Sequence, residues 1–352
     1  MKGRDKKAKT VVFALTERGL PLAEKIALSL GTVDVFEPRA LVSGGLKKEV
    51  ARSFSAAGAL VFISAAGIAV RCVAPLLKGK LSDPAVVVVD ERGRFAISLL
   101  SGHMGGANRL AEKVAKALGA APVITTATDI WGLPSVEELA GEFTLRIEDP
   151  KKIKAVNSAI LNSGKVFVVD ASRSRREVVK RKFKGVFTCQ GAFPKKLGPV
   201  DACVLISSRT EPVPAHLAQR TLVLRPIEIV AGVGCGRGTP KASIKKALIE
   251  SFAASGFSAL SVRNFATIDI KKNERGLKAL AKEMGVPVEV YGPDELNRVK
   301  CPSVSSAAVR KATGAHAVAE PAALLSSGAK KLCLKKTKTG HVTIAAAIVP
   351  SR

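Results

Sequence analysis

The chain has 352 residues, 47% of them hydrophobic and 4% aromatic, with 56 Lys and Arg against 29 Asp and Glu for a formal charge of +27. A single Trp and a single Tyr leave no stock of rings for stacking single-stranded bases, so the charge points away from nucleic acid and toward smaller polyanions. Six cysteines with no CxxC pair and no metal-ligand spacing argue against a disulfide scaffold and a metal site, and fit a reduced, cytoplasmic protein.

The length allows two or three domains with real cores. The positive excess is spread along the chain, which fits a generally basic surface and not one basic arm. No apolar signal core follows the charged start, MKGRDKKAKT. The longest weakly polar run, residues 58–70, is too short to span a bilayer, so no membrane partner is expected.

Residues 10–16, 33–36 and 59–64 read as strands, and residues 20–30 and 46–57 as amphipathic helices between them. This β-α-β-α-β alternation predicts a mainly parallel sheet with helices on both faces. Residues 65–71 (AAGIAVR) leave the third strand into a helix. Gly67 there allows close backbone approach, and Arg71 is a candidate clamp for a carboxylate, with an ordinary solvated turn as the alternative. Apolar residues 85–89 form a buried-strand run, Asp90-Glu91-Arg92-Gly93 turns it back, and residues 95–100 return. A small, polar cluster follows: Ser101, Gly102, His103, Gly105, Gly106 and Asn108. From Ala107 the pattern is helical, and the next apolar strand ends in Thr125, Thr126, Thr128 and Asp129. Polar groups between strand ends and helix starts are where α/β proteins place ligands.

A boundary is read at residues 138–150. Residues 151–225 hold a helix (153–161), strands at 166–170, 202–206 and 221–224, and the run RSRREVVKRKFK, most simply a solvated helix face. A new unit starts at Ile227. IEIVAGVGCGRGTP reads as a strand entering a glycine-rich turn, with Thr239 and Pro240 opening a helix. Gly232 and Gly234 match a dinucleotide loop, but Arg237 occupies the third glycine's place, which argues against NAD and leaves a backbone nest suited to an anion. A strand is read at 259–265, a helix at 276–284, a strand at 287–291 and a helix at 294–299. Ser303, Ser305 and Ser306 precede a further helix. Glu320 sits at the start of another, and strands 331–335 and 342–349 close the chain as a hairpin. The fold class expected is α/β: two three-layer domains with mainly parallel sheets (1–137 and 227–352) joined by a smaller α/β linker domain (138–226).

GxSxG, HExxH and Walker A patterns are absent. Of four histidines, His103 is the one flanked by glycines and small polar residues at a strand end, where an imidazole can titrate near neutrality and act as base or acid. The alternative is a histidine that only hydrogen-bonds its turn. Asp129 either faces His103 across the crevice or caps a turn.

The segments FISAAGIAVRCVAPLLKGKLSDPAVVVVDE, FAISLLSGHMGGANRLAEKVA and PVITTATD resemble the N-terminal domain of the CbiG family of cobalamin biosynthesis proteins. VAGVGCGRGT, ATIDIKKNERGL, SSAAV and VAEPAALL resemble its C-terminal domain, which is similar to CobE. The resemblance implies a cobalt-precorrin-5A hydrolase that opens the δ-lactone between the ring A acetate and C20 and releases the C20 fragment as acetaldehyde, giving cobalt-precorrin-5B. It implies no cofactor, since the cobalt is part of the substrate, and no metal held by the protein. A polycarboxylate cobalt-tetrapyrrole would account for the basic surface without nucleic acid. On this reading His103 is the general base, oriented by Asp129. Ser101, Gly102, Gly105, Gly106, Asn108, Thr125, Thr126 and Thr128 line the lactone site. Gly67, Arg71, Gly232, Gly234, Gly238, Thr239 and Glu320 hold substrate side chains. The alternative is a non-catalytic carrier or scaffold for intermediates of the same pathway. Neighbouring pathway enzymes and a second copy of the chain are candidate partners.

Overall fold

The computed structural model describes residues 9–41, 45–79, 82–102, 105–183, 185–302 and 307–350. His103, Lys184, Ser303, Ser305 and Ser306 from the reading above lie outside the described residues. The chain divides into two compact units, residues 4–138 and residues 139–352.

The first unit is built on a six-stranded sheet: β1 (Thr10–Ala14), β2 (Val33–Phe36), β3 (Ala59–Ile63), β4 (Ala85–Val89), β5 (Phe95–Leu100) and β6 (Ala121–Val123), in the order β2-β1-β3-β4-β5-β6. β1 to β4 are parallel. Their residues are near-continuous apolar runs because both faces are covered. On one face α1 (Leu20–Leu30) and α4 (Ala107–Leu118) pack with Ala23, Ile26, Ala111 and Val114 inward. On the other, α2 (Gly45–Ala56) and α3 (Ala66–Val73) bury Val50, Phe54, Ala69 and Val73. Phe13 stacks on Phe62 at 5.0 Å in that layer.

The predicted Asp90–Gly93 turn reverses the chain, so β5 runs antiparallel to β4, and β6 runs parallel to β5. The carboxylate of Asp90 fixes this reversal by accepting the backbone N–H groups of Arg94 (2.8 Å), Phe95 (2.7 Å) and Arg92 (3.3 Å). Partial burial pushes the Asp90 carboxyl up, but those three bonds outweigh it and hold the group below its ordinary range. The reversal has a functional consequence. The carboxyl ends of β5 and β6 lie on the opposite sheet edge from those of β1, β3 and β4, about 17 Å away for a strand of this length.

The second unit carries two sheets. One orders β7 (Leu145–Ile147), β8 (Val166–Asp170), β9 (Phe187–Gln190), β10 (Ala202–Ile206) and β11 (Thr221–Pro226) as β7-β11-β10-β8-β9, with β7 antiparallel. The other orders β12 (Ile229–Cys235), β13 (Val262–Ile268), β14 (Val288–Tyr291), β15 (Leu334–Thr339) and β16 (Val342–Ile348) as β14-β13-β12-β16-β15. β15 and β16 close the chain as the expected hairpin, with the first strand at Leu334–Thr339 and not at 331–335. The strand expected at 259–265 instead starts at Val262, because Ser258 caps a short 3₁₀ turn at Ala259–Ser261. The two sheets are tied together. The Arg146 guanidinium donates to the carbonyls of Leu260 and Met284, both at 3.2 Å. Arg209 lies over the Phe257 ring at 4.6 Å.

The basic run forms a helix, Arg173–Lys182, but it is not simply a solvated face. Arg175 pairs with the buried Asp170 at 2.5 Å, and Arg176 donates to the Asp170 carbonyl. Two of its cations therefore cap the end of β8.

Candidate functional site at the carboxyl ends of β5 and β6

Ser101 leaves β5 in the left-handed region, with φ of 60°. A residue with a Cβ rarely sits there, and such positions cluster at functional sites. The Ser101 carbonyl accepts the Ala107 N–H at 3.2 Å, and the Gly102 carbonyl accepts the Asn108 N–H at 3.1 Å, closing the loop onto the first turn of α4. The loop can close only on glycine. A Cβ on Gly105 would lie 2.1 Å from the Ser101 Cβ, and one on Gly102 would lie 2.6 Å from Asn108 Oδ1. Gly106 enters α4 at φ 86°.

Asn108 is the hub. It is 8% exposed. Its Oδ1 accepts the Ser98 hydroxyl at 2.6 Å, and its Nδ2 donates to Asp129 Oδ2 at 2.7 Å and to Thr126 Oγ1 at 3.1 Å. Ser98 accounts for the carbonyl side and Asp129 for the amide side, so the network fixes which way the side chain points. Asp129 is exposed, in the first turn of the short helix α5 (Ala127–Ile130), while Thr128 is buried and Thr125 is exposed. The Ser101 Oγ is buried without a hydrogen-bond partner among the described residues. The cluster thus offers an anchored carboxylate, the Ser101 hydroxyl, buried with no partner among the described residues, and a second hydroxyl, Thr126, whose oxygen is held by Asn108. His103, between Gly102 and Gly105 in sequence, lies outside the described residues.

Ser98 was not among the sequence candidates. Its signal was there: in FAISLL it shares a face with Ala96, which is buried against α4. A polar residue turned toward a packed helix needs a partner.

Gly67 and Arg71 do not join this cluster. They lie on α3, which leaves the carboxyl end of β3 at the other edge. The Arg71 Nη1 donates to the Gly67 carbonyl at 3.3 Å, and the side chain is exposed. Near them is a crevice of about 750 Å³ whose walls include Leu15 and Thr16 after β1, Ser64 and Ala65 after β3, and Asp90 and Glu91 after β4. It occupies the point where strand order turns from β2-β1 to β3-β4, the position at which α/β sheets open a crevice.

The C-terminal residues have structural work. Gly232 and Gly234 lie inside β12 and not in a turn. A Cβ on Gly232 would come within 1.8 Å of the Ala319 carbonyl oxygen, so this glycine lets the helix Ala319–Ser327 pack on the strand. Gly238 is at φ 73°, and its N–H is taken by Glu274 Oε1 at 3.0 Å. Lys271 neutralises that carboxylate at 3.0 Å. The backbone nest expected to hold an anion therefore holds one supplied by the chain itself. Thr239 Oγ1 donates to the Gly236 carbonyl at 2.9 Å. Glu320 is 1% exposed and accepts the Lys336 N–H at 2.9 Å, tying its helix to β15.

Thiol chemistry is disfavoured at the described cysteines, all of which are free. Burial pushes the Cys203 thiol up to about 12, and Cys301 and Cys333 each to about 11. Such thiols hold almost no thiolate near neutrality.

The geometry defines a multi-sheet α/β protein with a polar, glycine-closed site at two strand ends. Three family models cover most of the chain: cobalamin synthesis G N-terminal over residues 48–129, cobalamin biosynthesis central region over 134–226 and cobalamin synthesis G C-terminus over 229–347. A cobalt-precorrin-5A hydrolase of Priestia megaterium is 34% identical over 356 aligned positions, covering 96% of this chain and 94% of the relative. One of Salmonella typhimurium is 34% identical, covering 90% and 92%. The protein CobE of a Sinorhizobium species is 32% identical over 34% of this chain and 79% of its own length. The chain belongs to the CbiG family of cobalamin biosynthesis proteins.

Proposed function

We propose that this chain is a cobalt-precorrin-5A hydrolase and that it acts at the cluster around Asn108. The observation that supports the reading most is the Asn108–Asp129 bond at 2.7 Å, in a chain that aligns over nearly its whole length with cobalt-precorrin-5A hydrolases.

Lactone opening adds water across an ester. The attacking water must lose a proton, and the carbonyl oxygen gains negative charge that needs a donor. His103 takes the proton. Asp129, held by Asn108, is the group that orients the imidazole. The hydroxyls of Ser101 and Thr126 donate to the developing oxyanion. Opening frees a carboxylic acid on ring A and a hydroxyl on C20. Loss of that hydroxyl proton lets its electron pair form the aldehyde carbonyl as the bond from C20 to the macrocycle breaks. The conjugated ring accepts the displaced pair and later a proton. No external oxidant or reductant enters the balance.

The full-length chain mixed with cobalt-precorrin-5A is expected to release one acetaldehyde per macrocycle, measured by a coupled alcohol dehydrogenase assay. Binding of the macrocycle with no acetaldehyde and no lactone opening would overturn the enzyme reading in favour of a carrier.

A further inference from the structure

The stretch that follows Asp129 carries side chains that neither the fold nor the chemistry above employs. Ile130 is 63% exposed, and Trp131, the only tryptophan of the chain, is 75% exposed. They are not on a loose tip. The N–H groups of Ile130 and Trp131 donate to the carbonyls of Thr126 and Ala127, each at 3.1 Å. Those of Gly132 and Leu133 donate to Asp129 at 3.1 Å and Thr128 at 2.8 Å. The apolar pair is thus held in a tight turn that follows Asp129 in the chain.

The other partner of the Asn108–Asp129 bond, Asn108, is followed in the chain by Arg109. Arg109 lies in the first turn of α4, is exposed, and makes no ion pair among the described residues. That turn contains no acidic residue. A cation at the positive end of a helix is unfavourable, so its place is explained better by an anion that comes from outside.

We propose that Trp131 and Arg109 are the docking elements for the substrate at this site: the apolar face of a conjugated macrocycle lies on the Trp131 ring, with Ile130 beside it, and a rim carboxylate pairs with Arg109. The inference rests on the hydrolase reading and adds the residues that select a flat, polycarboxylate ligand. Two features argue for this occupant. The Asn108–Asp129 bond brings the two segments that carry Trp131 and Arg109 together, and the charge of Arg109 complements a carboxylate-bearing rim. Neither residue touches the reacting bond in this account; both act in binding, so the loss should fall on KM more than on kcat.

The test is steady-state acetaldehyde release from cobalt-precorrin-5A by the full chain and its variants, with thermal melting as a check on folding. Trp131→Ala is expected to raise KM about tenfold with kcat changed little, and Trp131→Phe to restore most of the loss, because the ring face and not the indole N–H is what binds. Arg109→Ala is expected to raise KM to a similar extent, with Arg109→Lys recovering part of it. A purely structural role would instead lower the melting temperature without Phe rescue. Wild-type turnover with unchanged KM in both alanine variants would overturn this inference and leave the hydrolase reading intact. A wild-type chain that releases no acetaldehyde would overturn both.

Discussion

Asn108→Ala is expected to lower kcat for lactone opening by about 100-fold or more while the chain still folds. The substitution deletes three bonds at once, to Ser98, Thr126 and Asp129. Asp129 then loses the bond that positions its Oδ2, and a misplacement of about 1 Å is enough for a loss of that order. Stability should fall too, by about 1–2 kcal/mol, since the Ser98 hydroxyl loses its partner. His103→Ala is expected to reach a comparable loss by removing the base itself. The two therefore should not add: His103→Ala combined with Asn108→Ala should be little worse than either alone, because Asn108 acts through the group that Asp129 orients. Single-turnover lactone opening measures all three. An Asn108→Ala chain with wild-type kcat would show that the cluster only closes the loop. A His103→Ala chain with unchanged lactone opening would remove the base assignment.

Gly232→Ala is expected to be the most destabilising single methyl in the second unit, at about 3 kcal/mol or more. The added Cβ would stand 1.8 Å from a backbone carbonyl oxygen, that of Ala319, and 3.1 Å from the Ala323 Cβ. Neither side can give way cheaply. β12 is central in its sheet, paired with β13 on one side and with β16 on the other. The helix carries the buried Glu320, pinned by the Lys336 N–H. Gly234→Ala makes the control. Its Cβ would meet the Thr343 hydroxyl at 2.3 Å, a side-chain atom that can rotate, so a loss of about 1–2 kcal/mol is expected. Urea unfolding of both variants gives the comparison. Equal, small losses would mean that the helix does not rest on Gly232 as described.

These two positions show what the chain discloses before it is folded. Runs of apolar residues and the Asp90–Gly93 turn were enough to place β4, β5 and α4, because burial on both faces and a turn that accepts its own backbone N–H groups are local signals. The polar cluster was legible for the same reason: SGHMGGAN puts small residues where a loop must close. What could not be read is position in space. The hairpin turn announced that β5 runs back along β4, but not the consequence that Ser101 and Asp129 lie at one edge while Gly67 and Arg71 stay at the other. The glycines of VAGVGCG misled for a physical reason. Glycine is required wherever backbone approaches closely, and a packed helix demands it as strictly as a bound phosphate. Glu274, far from that segment in sequence, fills the anion place at Gly238, a contact only the fold creates.

The central claim is that chemistry occurs at the carboxyl ends of β5 and β6. The cobalt of the substrate gives the most direct test. A crystal of the His103→Ala chain soaked with cobalt-precorrin-5A, measured at the cobalt absorption edge, should show one anomalous peak close to Asn108, Asp129 and Trp131. A peak in the crevice between Leu15, Ser64 and Asp90, or one in the second unit, would contradict the account.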